Sequence, residues 1–274
     1  MISDKLSERL GQPVVIINRP GANSEIGYRD VAAARPDGYT MVLTVPSLVS
    51  NTFYLRGSLD PGQLTPVAYL AEGPYILLAS GKFGATSIAD VVDKIKASPG
   101  NVSCALTGGV GSIGCEMLEA LTKTKLLKVA YTGSNPGTLA VMAGDVDLAF
   151  NFSITAQIGA QMGVQAEQVR PIATTAPKRG GPPFPDLPAM NEVIPGFELA
   201  GWHGVMVPDG TPKDIVARLN QEINAVLKMP DIKEKLAKGG LEPVGGTPED
   251  FAVRLDKVRT TFGKVLAENG TKAE

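Results

Sequence analysis

The stretch that most constrains this chain runs from Val102 to Leu121 and reads VSCALTGGVGSIGCEMLEAL. Val102 to Leu106 is a short β-prone run. It enters a loop with four glycines, Gly108, Gly109, Gly111 and Gly114, and the loop opens a segment in which Met117, Leu118 and Leu121 recur at helical spacing. Strand, glycine loop and helix N-terminus together form a device for holding an anion. Glycines let the backbone approach a ligand, the first N–H groups of the helix lack intrahelical partners, and the helix dipole favours negative charge. Thr107 and Ser112 add hydroxyl donors at the same place. The same residues also make an ordinary strand-to-helix turn that binds nothing, so both readings stay open on this stretch alone. Gly109 to Gly114 also spells G-x-G-x-x-G, the dinucleotide fingerprint. That motif needs a carboxylate about 20 residues further on, and Ala130 to Asn135 holds none. A nicotinamide cofactor is therefore not expected, nor any other.

At 274 residues with 43% hydrophobic content the chain can bury one large core or two. A net charge of −2 gives no electrostatic case for nucleic acid or an anionic membrane, and no apolar run approaches the ~18 residues that would span a bilayer. The polar, amphipathic start at Met1 to Leu10 is not a secretory signal. It suits either a cytoplasmic chain or an exported one given without its leader. Cys104 and Cys115 suggest neither a disulfide framework nor a metal pattern. The single histidine, His203, rules out multi-histidine metal sites and sits in the apolar, strand-like Gly201 to Val207. A structural or surface role suits it better than catalysis.

Along the chain, helices alternate with apolar strands, which predicts an α/β architecture. Ile2 to Leu10 reads as a helix closed by Gly11, and Pro13 to Asn18 as a buried strand. A helix over Glu25 to Ala34 and a buried strand over Tyr39 to Val45 follow. Val67 to Ala71 and Tyr75 to Ser80 read as two strands. Ser87 with Asp90 is a capping signature for the next helix. Lys128 to Tyr131, Val146 to Phe150 and Arg170 to Thr175 read as strands, with a short helix at Leu139 to Ala143. The proline-rich Ala176 to Pro188 reads as an extended surface segment. Thr211-Pro212 and Thr247-Pro248 carry the same helix start signal, and each is followed by one apolar helical face.

Several of these segments together resemble one family, the periplasmic receptors of tripartite tricarboxylate transporters, also called Bug receptors. The resemblance rests on Gly11 to Ala22, Ala34 to Thr40, Thr107 to Glu116, Tyr131 to Ser134, Gly144 to Phe150, Phe184 to Glu192 and Trp202 to Pro212. It implies a two-lobed, type II periplasmic-binding-protein-like (Venus flytrap) α/β fold. Residues 1–80 with 206–274 would form one lobe and 81–205 the other. It further implies periplasmic capture of a small carboxylate between the lobes for delivery to membrane transporter subunits, without catalysis. By position, Thr107, Gly108, Gly111 and Ser112 would donate to the carboxylate. Thr132, Gly133 and Ser134 would sit beside them, Ser47 and Asn51 would face the cleft from the first lobe, and Asp147 and Asn151 would lie near it.

Three departures from the family pattern bear on that reading. The family's mature chains begin with a strand and a glycine-rich loop before the first helix, and this chain starts inside that helix. Cys115 stands where the family often has histidine. Thr132 stands where it usually has lysine, which points away from a strongly anionic, multi-carboxylate ligand. The alternative is a truncated or degenerate member that acts through protein contacts, for instance as a homodimer. An enzyme using the glycine loop for phosphate ranks last, for lack of a base, a metal cluster or a ribose acid.

Overall fold

The computed structural model describes residues 1–153, 168–180 and 184–270. The chain divides into two compact units, each with its own sheet and core. The first comprises Met1–Glu72 and Trp202–Gly263; the second comprises Gly73–Gly201 and the end of the last helix from Lys264.

In the first unit the sheet order is β1 (Val42–Thr44), β7 (Ala200–Pro208), the first half of β2 (Leu64–Ser80) and β8 (Glu242–Pro243). β7 runs antiparallel to β1, and β8 runs antiparallel to β2. Helices α1 (Ile2–Leu10), α7 (Lys213–Leu227) and α8 (Pro230–Lys238) cover it. The apolar stripe predicted for α7 is the one that packs: Leu219, Ile223 and Val226 join Leu6, Val67, Leu70, Val207 and Ile232 in a single cluster. A second focus is the aromatic trio Tyr69, Trp202 and Phe251. Phe251 on α9 (Pro248–Asn269) meets Tyr69 edge-on at 5.4 Å and Trp202 edge-on at 5.5 Å. Gly204 lies beneath it, and a Cβ there would stand 2.3 Å from the ring.

In the second unit the order is β6 (Val169–Thr174), the second half of β2, β5 (Leu148–Phe152), β3 (Ser103–Leu106) and β4 (Leu127–Ala130). β3 is parallel to both β4 and β5. One face packs Ile76, Leu78, Ala105 and Ala149 against Ala140 and Val141 of α6 (Ser134–Ala143). Helices α4 (Ile88–Ala97) and α5 (Gly109–Thr122) carry the buried stripes Val91, Ile95 and Ile113, Met117.

The structure corrects the sequence reading in five places. Pro13–Asn18 is not a strand, and Val15, Ile16 and Ile17 are 74%, 69% and 71% exposed. An apolar run becomes a strand only where another strand lies alongside, and none does among the described residues. Tyr39–Val45 shrinks to the three residues of β1, with Tyr39 and Leu43 exposed. The two strands expected at Val67 and Tyr75 are one, β2, continuous through Gly73-Pro74. Pro74 is tolerated there because it falls between the β8 pairs, which end at Glu72, and the β5 pairs, which begin at Tyr75. The edges of the two units fall within β2, at Glu72/Gly73, and within β7, at Gly201/Trp202. Thr211 does not cap α7, because its hydroxyl donates back to the Pro208 carbonyl.

The fifth correction concerns the cysteines. Cys104 and Cys115 are joined in a disulfide, with Cα atoms 6.2 Å apart. Cys104 is on β3 and Cys115 on the second turn of α5, and strand, tight turn and returning helix bring them face to face although they are 11 residues apart. Of the proline-rich connection, Pro182 and Pro183 lie outside the described residues.

Because Phe251 supplies the ring on which Tyr69, Trp202 and Gly204 all pack, Phe251→Ala leaves a void at the centre of the first unit. It is expected to cost about 3–5 kcal/mol, measurable as a lower urea midpoint for that unit's unfolding.

Candidate functional site

Two helices begin side by side in the second unit, α5 after β3 and α6 after β4, at the C-terminal ends of adjacent parallel strands. That edge of a parallel sheet is where ligands meet helix N-termini. The turn into α5 needs glycine: Gly108 has φ 79° and Gly109 φ 51°, both left-handed. Gly111 and Gly114 are required by contact instead. A Cβ on Gly111 would stand 2.1 Å from Thr107 Oγ1 and 2.8 Å from the Phe150 carbonyl oxygen; one on Gly114 would stand 2.4 Å from Phe150 Cγ. The turn into α6 passes through Gly133 at φ 152°.

The polar groups at these two turns are neutral. The Gly108 N–H donates to Ser112 Oγ at 3.0 Å, which fixes the loop and leaves the Ser112 hydroxyl hydrogen available to donate. Thr107 is 7% exposed and its Oγ1 has no partner among the described residues, the arrangement expected of a donor that meets a ligand or water. Asn151, fully buried at the end of β5, donates from Nδ2 to Thr138 Oγ1 at 2.5 Å. Thr138 in turn donates to the Ser134 carbonyl at 2.8 Å. This relay orients the start of α6, and it leaves Asn151 Oδ1 an unpaired acceptor among the described residues. Residues 107–115 and 131–138 contain no charged side chain. An anion here meets backbone N–H groups, hydroxyls and two helix dipoles, each worth about 0.3–1 kcal/mol.

Of the residues singled out from sequence, the fold brings together Thr107, Gly108, Gly111, Ser112, Gly133, Ser134 and Asn151. Thr132, in the loop before α6, is exposed. Asp147 does not join them. Its carboxylate accepts from the Ser103 N–H at 2.8 Å and the Ser103 hydroxyl at 2.7 Å. Ser103 opens β3 and Asp147 precedes β5, so in this parallel pair both lie at the N-terminal end, opposite the glycine turn. Sequence reasoning placed Asp147 near a strand end; the fold shows it is the other end.

Ser47 and Asn51, on α3 (Ser47–Tyr54) of the first unit, are buried and engaged within that unit. Ser47 Oγ is 2.7 Å from Tyr28 Oη. Asn51 accepts from Asn23 Nδ2 at 2.8 Å and donates to the Asn23 carbonyl and to Glu25 Oε2. It thereby clamps a turn in which Ala22, Asn23 and Ser24 all have positive φ, at 45°, 53° and 72°. Three consecutive non-glycine residues in that region are strained. Sequence reasoning missed the strained run at Ala22–Ser24, as it missed Thr138. Only the Ser134–Thr138 spacing along a helix could have pointed to Thr138. His203, on β7, is partly buried, and burial pushes its imidazole below the usual range.

The other end of α5 is charged and buried. Lys128 Nζ lies 2.9 Å from Glu116 and 2.8 Å from Glu119. Glu119 also accepts from the Leu126 N–H, and Asn269 donates to Glu116 at 2.6 Å.

Two glycine-built helix starts at one edge of a parallel sheet, on an α/β chain of two units, define a solute-binding fold of the periplasmic-binding-protein kind. The family model described as the tripartite tricarboxylate transporter family receptor, TctC, matches residues 1–269, and the chain belongs to that family. It is 34% identical to the UPF0065 protein of the tcbD-tcbE intergenic region of a Pseudomonas species, over 98% of this chain and 80% of that one. Among solved structures it is similar to a Rhodopseudomonas palustris protein determined with adipate, at 31% identity and a TM-score of 0.88, covering 100% and 92% of the two chains. It is also similar to MatC of the same organism with bound malate, at 27% identity and a TM-score of 0.84, covering 97% and 92%.

The Lys128 cluster generates a prediction of its own. Burial alone would pull the Lys128 ammonium down, but hydrogen bonds to Glu119 and Glu116 outweigh it and hold the group above its ordinary 10.5. Its contribution to stability is therefore complete below about pH 10.5 and is lost as pH rises through the higher folded value. Lys128→Met leaves two buried carboxylates facing each other and is expected to destabilise by about 3–5 kcal/mol at pH 7. It should also flatten the alkaline fall in melting temperature, which a pH series on both proteins checks.

Proposed function

We propose that this chain is a solute receptor that seats one carboxylate of a small organic acid on the α5 and α6 turns and delivers it to a tripartite tricarboxylate-type membrane transporter. The observation that carries this reading is the buried, unpartnered Thr107 hydroxyl beside two helix N-termini with no charged group at either turn. Neutral donors suit a single carboxylate, since each added negative charge would need a cation that these turns lack. The similar structures carry adipate and malate, small organic acids that could each place one of two carboxylates at such turns. A periplasmic location follows from the family and is supported by the Cys104–Cys115 bond, which suits an oxidising compartment. No step of chemistry is assigned to the site; its residues bind and orient.

The test is a thermal-shift screen against small carboxylates, with nucleotides as controls. A ligand at 100 times its Kd adds about 2.7 kcal/mol to the folded state. The melting temperature is expected to rise with carboxylates alone, and the rise should vanish in Thr107→Ala/Ser112→Ala. A response to nucleotides would replace this reading with the phosphate-binding one. A flat screen on a well-folded chain would favour a family member that works through protein contacts.

A further inference from the structure

The α5 turn combines two demands that conflict. It must present a fixed row of N–H groups, yet three of the first six residues of α5 are Gly109, Gly111 and Gly114, the residue type least able to hold a helix apart from proline. The contacts leave no choice at two of them, because Thr107, the Phe150 carbonyl and the Phe150 ring occupy the space a Cβ would take at Gly111 and Gly114. A helix end of this composition frays unless something outside the backbone holds it. Val110 and Ile113 are buried between the glycines, but Gly109, Gly111 and Gly114 themselves have no side chain to interlock.

One covalent bond closes this turn directly after the last of these glycines, adding to the Gly108–Ser112 hydrogen bond. Cys104 is the second residue of β3 and is anchored in the sheet, paired with Lys128 on β4 and Leu148 on β5. Cys115 follows Gly114 directly, and both cysteines are fully buried. The ring that their bond closes contains Thr107, Gly108, Gly111 and Ser112, which is the whole β3–α5 share of the proposed site. We infer that Cys104 and Cys115 are a positioning pair: their disulfide sets the glycine turn in its binding geometry, so carboxylate affinity depends on the bond. This rests on the carboxylate reading above. Both sulfurs are fully buried in the folded chain, which slows their exchange with solvent thiols, so the reduced sample is prepared through the unfolded chain.

The experiment compares three samples: the oxidised chain, the same chain unfolded with dithiothreitol and refolded under it, and Cys104→Ala/Cys115→Ala. In the reduction, dithiothreitol gives two electrons and two protons to the disulfide and closes to its own cyclic disulfide, leaving two thiols. Amide hydrogen exchange is followed over 108–114, with 134–143 of α6 as an internal reference. Kd is measured by calorimetry for whichever panel carboxylate stabilises the oxidised chain. Expected are exchange at least tenfold faster over 108–114 with α6 unchanged, and carboxylate binding at least tenfold weaker. A bond that serves stability alone would lower the ligand-free melting temperature and leave local exchange and Kd as they were, which overturns the inference. If the double variant does not fold, the reduced chain, which keeps both sulfurs in place, decides; if that does not fold either, the positioning role is refuted. Should the oxidised chain bind no carboxylate in the panel, the receptor reading fails by itself. The exchange arm then still decides whether the bond holds the turn.

Discussion

The second unit depends on how closely α5 lies against the ends of β3 and β5. Gly111 and Gly114 let the helix backbone rest on the Phe150 carbonyl and ring, and Phe150 is itself stacked on Phe197 at 5.6 Å. That approach sets where the first N–H groups of α5 point, and it leaves Thr107 buried without a partner. It also brings β3 and α5 near enough for Cys104 and Cys115 to bond. A larger residue at either glycine would displace the helix start, and the donors, the bond and the Phe150 packing would shift with it.

The first unit meets the same need for order at a loop by other means. Its strained turn at Ala22–Ser24 is held by the Asn51 side chain and by the buried Glu25 carboxylate, which accepts from the Leu59 N–H at 2.5 Å and pairs with Arg29 at 2.9 Å. Here a charge-assisted network offsets the backbone strain. One unit thus holds its turn with a charged side-chain network, and the other with glycine contact, the Gly108–Ser112 hydrogen bond and a covalent bond.

What could be read from the residues was whatever is local in sequence. The Ser87/Asp90 and Thr247/Asp250 caps form as expected: the Asp90 N–H donates to Ser87 Oγ while its carboxylate accepts from the Thr86 N–H, and Thr247 and Asp250 exchange reciprocal hydrogen bonds. The glycine turn, its flanking strand and its helix were legible too, because strand, loop and helix there are consecutive. What escaped depends on partners distant in sequence. Val15–Ile17 has the composition of a strand, but pairing is supplied by another strand. Gly73-Pro74 resembles a break, and only the change of ladder partners on either side lets β2 pass through it. Asp147 was placed at the wrong end of the parallel sheet because adjacency to a strand does not say which end faces the helix starts. The disulfide escaped because two cysteines 11 residues apart meet only if the segment folds back on itself.

The buried charges on α5 bear on its neutral end. Glu116 lies seven residues into the helix from Gly109, about 10 Å at 1.5 Å per residue. A full negative charge at that distance opposes an anion at the helix start by about 1.7 kcal/mol at an effective dielectric of 20, more than one helix dipole contributes. Two carboxylates there would cancel the attraction of both turns. Lys128, contacting both, neutralises one unit of that charge, and the Asn269 amide hydrogen bond stabilises what remains on Glu116. The lysine on β4 would therefore serve the proposed binding end of α5 without touching it. Its charge lets a helix with two buried glutamates present an N-terminus that still attracts an anion.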